Sequence, residues 1–165
     1  DIGSADAAMI ESISGLHSVM VPAENENGIV LVEAYDAGGE ETSKLVNISA
    51  RYHVGTEDNV LITGFAITGT GEKSLLIRAI GPQLETSFEV EDVLNDPILE
   101  VYNSSGTLIA RNDNWLRSLS NTFAEVGAFP LETNSSDSAI MVTLPANALY
   151  TVVASGKTEP PAKPW

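Results

Sequence analysis

The chain contains no cysteine among its 165 residues. This excludes disulfide bonds, thiolate nucleophiles and thiolate-bound metals, because each of them needs a cysteine sulfur. Basic residues are also scarce, since Lys and Arg total 8 against 23 Asp and Glu, and the formal net charge is −15. Such a chain repels phosphate backbones and anionic lipid headgroups, so nucleic acid is not an expected partner.

Long apolar runs are also missing. None approaches the roughly 20 residues that a membrane-spanning helix needs, so membrane insertion is not expected. The chain begins at "DIGSADAAM" with neither Met nor a basic leader region, and we interpret it as a processed chain. Hydrophobic residues make up 43% of it, enough for one globular domain with a sizeable core.

Catalytic motifs are equally scarce. The two histidines, His17 and His53, lie in no HExxH or Ser/His/Asp pattern. The stretch "TGTGEKS" at 68–74 is similar to a phosphate-binding loop, but Lys73 does not follow the required glycine, so a hairpin loop is expected instead. The acidic residues show no pairing typical of glycoside hydrolases. The sequence therefore predicts a protein that is not an enzyme.

What the chain does contain is a series of short apolar runs between turn signals. Their spacing predicts an all-β fold, an antiparallel β-sandwich of the jelly-roll or immunoglobulin-like kind, and not βαβ units. In "KSLLIRAI" the residues Leu75, Ile77 and Ala79 alternate with Ser74, Leu76 and Arg78, which predicts a strand with one buried face. Ser105-Gly106 marks a hairpin turn, and loops are expected at 87–94 and 120–129.

Composition divides the chain into four parts. Residues 1–37 form an N-terminal β arm with a donor-type strand at 28–36, and the polar linker 38–43 follows. The β-sandwich body spans 44–157, with its first strand at 44–52. A Pro-rich tail at 158–165 is expected to be extended.

Several blocks in a distinctive order carry a resemblance to a known family. The blocks are "LVNISAR", "VLITGFAI", "LLIRAIGP", "NDNW" and, in the arm, "GIVLVEAYD". Together they resemble a poorly characterised repeat domain of very large secreted or surface proteins of environmental bacteria. The resemblance implies a β-sandwich that is secreted or lies on the cell surface, and three N-glycosylation sequons agree with export. In such arrays the "GIVLVEAYD"-like strand closes a repeat, whereas here it precedes the body, so this chain is out of register with the repeat.

This displaced strand provides the leading functional hypothesis. Its apolar residues must be covered by a sheet, and the arm is expected to complete one. The strand closes its own body in cis or enters the next copy in trans, which would build a head-to-tail homopolymer, and we favour the trans arrangement. The assembly residues are Ile29, Val30, Leu31, Val32, Ala34 and Tyr35. The expected function is a non-enzymatic extracellular structural subunit.

Two polar loops support an alternative hypothesis. Asp113, flanked by Asn112 and Asn114, and Asp58 in a second loop carry oxygens of the kind that Ca²⁺ prefers, although we favour turn capping as the explanation of such residues. No other cofactor is expected. Trp115 beside the first loop is a candidate for stacking on a sugar ring. The alternative is therefore an adhesion module that binds polysaccharide or a receptor, with Ca²⁺ dependence and an arm closed in cis.

Overall fold

The computed structural model describes residue 15 and residues 17–20, 31–34 and 47–157. Contacts divide the chain into two units, Asp1–Ile48 and Ser49–Trp165. The described residues of the second unit form six strands, two short helices and a 3-10 turn at Arg117–Leu119. These strands are β1 (Leu61–Ile67), β2 (Glu72–Ala79), β3 (Pro97–Asn103), β4 (Leu108–Asn112), β5 (Ser138–Pro145) and β6 (Ala148–Gly156), and the helices are α1 (Pro82–Phe88) and α2 (Ser120–Glu125).

The strands form two antiparallel sheets of unequal size. One has four strands in the order β1-β6-β3-β4, and the other contains only β2 and β5. All four strand pairings in the two sheets are antiparallel. The prediction of a β-rich antiparallel fold is therefore confirmed.

A two-stranded ribbon passes from one sheet into the other. Strand β1 pairs with β6 up to Ile67 opposite Ala148, and β2 pairs with β5 from Glu72 opposite Pro145. Backbone bonds continue through the bend, where Asn147 N donates to Ile67 O at 2.6 Å. The prediction of a hairpin loop at 68–74 was wrong, because β1 and β2 do not pair with each other and the connection is a corner between the sheets.

Side chains from both sheets meet in a first hydrophobic cluster, which we call the inner cluster and define by its buried residues. Alternation along each strand places one apolar row on the shared face, as in β2, where Ile77 and Ala79 point the same way. Leu99 and Val101 of the four-stranded sheet are 1% and 0% exposed. The inner cluster comprises Ala79, Leu99, Val101, Ile140 and Val152.

A second cluster, the outer cluster, lies on the opposite face of the β2–β5 sheet. It comprises Trp115, Phe123, Leu131 and Ala139. Leu76 packs against it, and Arg78 on the same face is half-buried. The prediction that β2 has a single buried face was therefore wrong, because the chain between β4 and β5 folds back over the other face.

Two loop predictions need correction in part. Residues 120–125 form helix α2, because Phe123 is drawn into the outer cluster and is only 2% exposed. Helix α1 extends into the predicted loop at 87–94 and ends at Phe88, where Glu89 takes the left-handed conformation with φ 54°. Helices as short as these are stabilised by packing and not by local propensity alone.

The strand predicted at 44–52 is wrong over its described part. Residues 47–54 form no strand, and Ile48 and Tyr52 are 61% and 67% exposed. An apolar run pairs only where a neighbouring strand is available, and none of the described residues supplies one here. The predicted linker at 38–43 and tail at 158–165 lie outside the described residues.

Candidate assembly site

The described part of the arm exposes its apolar side chains. Residues 31–34 form no strand, and the side chains of Leu31 and Val32 are 79% and 55% exposed. Ala34 is also exposed. Ile29, Val30 and Tyr35, the other predicted assembly residues, lie outside the described residues. Exposed apolar residues at adjacent positions are costly in water, so this segment needs a covering surface.

The body offers unpaired strand edges. Within residues 47–157, each of β1, β4, β2 and β5 has a strand on one side only. Such an edge presents backbone N–H and C=O groups that another strand can pair with. Among the described strands, these edges are where an added strand would find backbone partners.

The predicted Ca²⁺ loop around Asp113 is held by internal bonds. Lys157 Nζ lies 3.1 Å from Asp96 Oδ2 and 3.6 Å from Asp113 Oδ2. The hydrogen bond to Asp96 raises the pKa of Lys157. Asn112 Nδ2 donates to Asn114 O at 2.7 Å, which is the capping chemistry of a turn. A lysine ammonium thus lies where the carboxylate of Asp113 would bind a cation.

The second candidate, Asp58, lies in an exposed turn. Asn59 N donates to Thr56 O at 3.1 Å, and Glu57 has a positive φ of 57°. Asp58 itself is exposed, and no metal-binding group of three or more His, Asp or Glu side chains includes it or occurs elsewhere in the described ranges. The structure does not bring Asp58 and Asp113 into one such group.

Trp115 lies within the outer cluster. Its side chain is 9% exposed, and its ring packs against Phe123 with 5.5 Å between centroids. The indole Nε1 donates to Glu132 O at 3.2 Å. Little of the ring is left for a sugar to stack on, so its observed role is to cover the β2–β5 sheet.

Sequence patterns gave no indication of a buried polar network centred on Asp137. This side chain is 0% exposed, and its Oδ1 accepts from Gly81 N at 2.7 Å while Oδ2 accepts from Gln83 N at 3.2 Å and from Ser135 Oγ. Gln83 Oε1 in turn accepts from Glu132 N at 2.6 Å. These bonds satisfy backbone donors at the start of α1 and in the loop before β5, so the network is structural.

Arg78 of β2 contacts residues of the chain that covers the outer face of the β2–β5 sheet. Its guanidinium lies 4.3 Å from the Phe129 ring centroid and 5.1 Å from that of Phe123. Nη1 also donates to Phe129 O at 2.7 Å. Burial lowers the pKa of Arg78, and the nearby Asp137 carboxylate opposes that shift. Aromatic faces and a carbonyl thus replace water around the charge.

Three interacting side chains, of the half-buried Glu100 and Tyr102 and the exposed Arg111, mark the outward face of the four-stranded sheet. Tyr102 Oη donates to Glu100 Oε2 at 2.7 Å, and this bond raises the pKa of Tyr102. Arg111 Nε lies 3.3 Å from Glu100 Oε1. A partly exposed ion pair of this kind has little effect on stability.

Comparisons with known proteins give no further identification. No protein-family model matches this chain, and no match is found among curated proteins or solved structures. In the described part of the chain, no helix is both long enough and apolar enough to cross a membrane.

Proposed function

We propose that this chain is a non-enzymatic extracellular structural subunit that assembles head to tail by donating its arm strand, 28–36, to the next copy. The observation that carries the proposal is the exposure of Leu31 and Val32 outside any strand, at 79% and 55%. These residues belong to an apolar stretch with a strand-like sequence, so an external sheet edge is a suitable partner.

The finer fold assignment belongs to the same proposal. A β-sandwich is supported by the inner cluster, to which both sheets contribute. The smaller sheet has two strands against four, so an added strand would bring the two layers closer to equal size. The location outside the cell rests on the resemblance of residues 28–157 to bacterial surface repeats.

Assembly of the full-length chain tests the proposal. The parent should form filaments or ladders in negative-stain electron microscopy and a polydisperse large species in light scattering. Leu31→Asp should abolish them, because a carboxylate buried in an apolar groove without a partner costs on the order of several kcal/mol. Leu116→Asp is the matched control, since Leu116 is a 63% exposed leucine outside any strand or helix, and it should assemble like the parent.

A peptide of residues 27–38 separates trans from cis closure. If the strand acts in trans, the peptide should raise the melting temperature of Leu31→Asp by binding the vacant edge. If the strand closes its own body, Leu31→Asp should destabilise a monomer and no polymer should exist to be lost. A parent that never polymerises, or a Leu31→Asp chain that polymerises as well as the parent, would overturn the proposal.

A further inference from the structure

The seam between β4 and β5 is closed at one end and open at the other. At the closed end, Asn112 Oδ1 accepts from Ala139 N at 3.0 Å and Ser138 Oγ donates to Asn112 O at 3.1 Å. At the open end lies a groove of about 340 Å³, lined by Ile109 and by side chains of β5 and β6, among them Val142, Leu144 and Tyr150. The two strands therefore separate along their length and leave an apolar opening.

A β-bulge in β4 faces this opening. Val101 pairs with Ala110 and Tyr102 pairs with Leu108, so Ile109 is an extra residue without a partner in β3. A bulge changes the direction of a side chain relative to regular alternation. Ile109 is thereby placed in the lining of the groove, where it is 41% exposed. A partly exposed apolar side chain in a groove is stabilised when another apolar surface covers it.

The free edge of β5 borders the same groove. Within residues 47–157, β5 forms a strand ladder only with β2, so its backbone beside the open end of the groove pairs with no strand. A strand added at this edge of β5 would become the third strand of the two-stranded sheet and would lie over β3 and β4. Strand β5 has eight residues and the arm strand has nine, which correspond to about 26 and 30 Å at about 3.3 Å per residue.

The net charge of the chain and the uncharged lining of the groove indicate which segment occupies the groove. Copies that each carry a net charge of −15 repel one another, so they associate best through uncharged surfaces. None of the side chains that line the groove is charged. The arm sequence Asn27–Val32 is also uncharged over six consecutive positions, and the described Leu31 and Val32 are exposed. Glu33 and Asp36 carry the charge of the rest of the arm strand, so the groove matches the stretch 27–32 in lacking charge, and the arm strand is similar in length to β5.

We propose that the arm strand 28–36 of a second copy of this chain occupies the β4–β5 groove, pairs with the free edge of β5 and places Leu31 beside Ile109. This inference rests on the proposed function, because it names the acceptor for the donated strand. The other unpaired edges, β1, β2 and the far side of β4, are the competing acceptors.

Substitutions in the groove test the location. Ile109→Arg should reduce assembly at least tenfold, measured as the polymer fraction in light scattering and sedimentation. Ile62→Arg is the matched control, because Ile62 is also an exposed isoleucine of an edge strand, at 63%, but lies in β1. Loss of assembly in Ile109→Arg with full assembly in Ile62→Arg supports the inference. Full assembly in Ile109→Arg, together with loss in Leu31→Asp, overturns the inference and leaves the proposed function standing.

Cross-linking gives a readout that does not depend on the groove tolerating a charge. The chain has no cysteine, so single cysteines can be introduced without a background. Leu31→Cys chains mixed with Ile109→Cys chains and a short dimaleimide should yield a covalent dimer. Leu31→Cys mixed with Ile62→Cys should yield at least tenfold less. Equal yields in the two mixtures, or a dimer only with Ile62→Cys, overturn the inference.

Discussion

The two faces of the β2–β5 sheet are buried by different means. The inner face is covered by strands of the other sheet, and its cluster consists of side chains on regular, alternating positions such as Leu99 and Val101. The outer face is covered by the chain between β4 and β5. This chain includes the short helix α2, which contributes Phe123. Strands satisfy their own backbone groups within a sheet, whereas irregular chain over a buried face does not.

This difference explains where two of the three buried polar side chains among the described residues lie, the third being Ser138 of strand β5. Gln83 and Asp137 are 3% and 0% exposed, and both bond to backbone groups of the loops and of α1. Gly81, beside them, has no room for a Cβ because of Leu94 O. The outer cover thus depends on particular polar and backbone positions, while the inner face depends on apolar alternation.

The largest expected losses in the free energy of unfolding come from truncating one buried side chain in each cluster. The two variants also test whether the two faces of the β2–β5 sheet unfold together. Phe123→Ala in the outer cluster should lower the free energy of unfolding by about 3–5 kcal/mol, and Leu99→Ala in the inner cluster by about 2–5 kcal/mol. If both faces belong to one cooperative unit, each variant should show a single urea transition by circular dichroism and by tryptophan fluorescence. A Trp165→Phe background leaves Trp115 as the only tryptophan reporter.

The control for that comparison is Phe88→Ala, since Phe88 is 52% exposed. It should cost much less than Phe123→Ala, because less apolar surface returns to water. Fluorescence and circular dichroism midpoints that separate in Phe123→Ala would show that the outer cover unfolds independently of the strands.

A smaller effect is expected from the polar network. Asp137→Asn keeps the shape of the side chain but replaces one acceptor oxygen with a donor, so Gly81 N or Gln83 N loses its partner. The cost should be about 1–3 kcal/mol. Amide hydrogen exchange should be faster at these two residues while the inner strands keep their protection.

Asp113→Asn is the matched control for this change. Asp113 is 41% exposed and forms only a surface ion pair, so the substitution should alter stability by no more than about 0.5 kcal/mol. Equal costs for the two Asp→Asn variants would contradict a special role for buried polar groups on the outer face.

The smallest effect should come from Arg78→Lys. Lysine keeps the charge but loses the planar group that contacts two aromatic rings and donates to Phe129 O, and the expected cost is about 0.5–2 kcal/mol. Arg111→Lys on the exposed face of the four-stranded sheet should cost about 0–1 kcal/mol. Thermal unfolding of both variants checks the comparison, and the reverse order would contradict it.

Much of the strand content could be predicted from local sequence. The apolar runs at β1 to β6 alternate over five to nine residues, and the β3–β4 hairpin has its own turn chemistry, with Asn103 Oδ1 accepting from Ser105 N and Thr107 N. The strand predicted at 44–52 was wrong in its described part. An apolar pattern shows that a segment can pair, but not that a partner strand lies beside it.

Of the proposed assembly site, the sequence predicted the donor strand but not the acceptor groove. Leu31 and Val32 belong to an uncharged apolar stretch that the printed sequence shows directly, and their role stays a prediction. Ile109 could not be singled out, because its placement depends on which residues of β3 and β4 pair across the bulge. The groove also requires β5 to lie beside β4, and the two strands are separated by 25 residues of loop and short helix.

The amino-acid sequence by itself determined the antiparallel β-rich character, most of the strand positions and the uncharged stretch 27–32 of the arm, because alternation and turn chemistry act over a few residues. Only the tertiary structure decided that β1 and β2 belong to different sheets, that Trp115 is buried and that Asp137 holds the start of α1. These outcomes depend on contacts between residues far apart in the chain, where packing space and backbone satisfaction override local pattern.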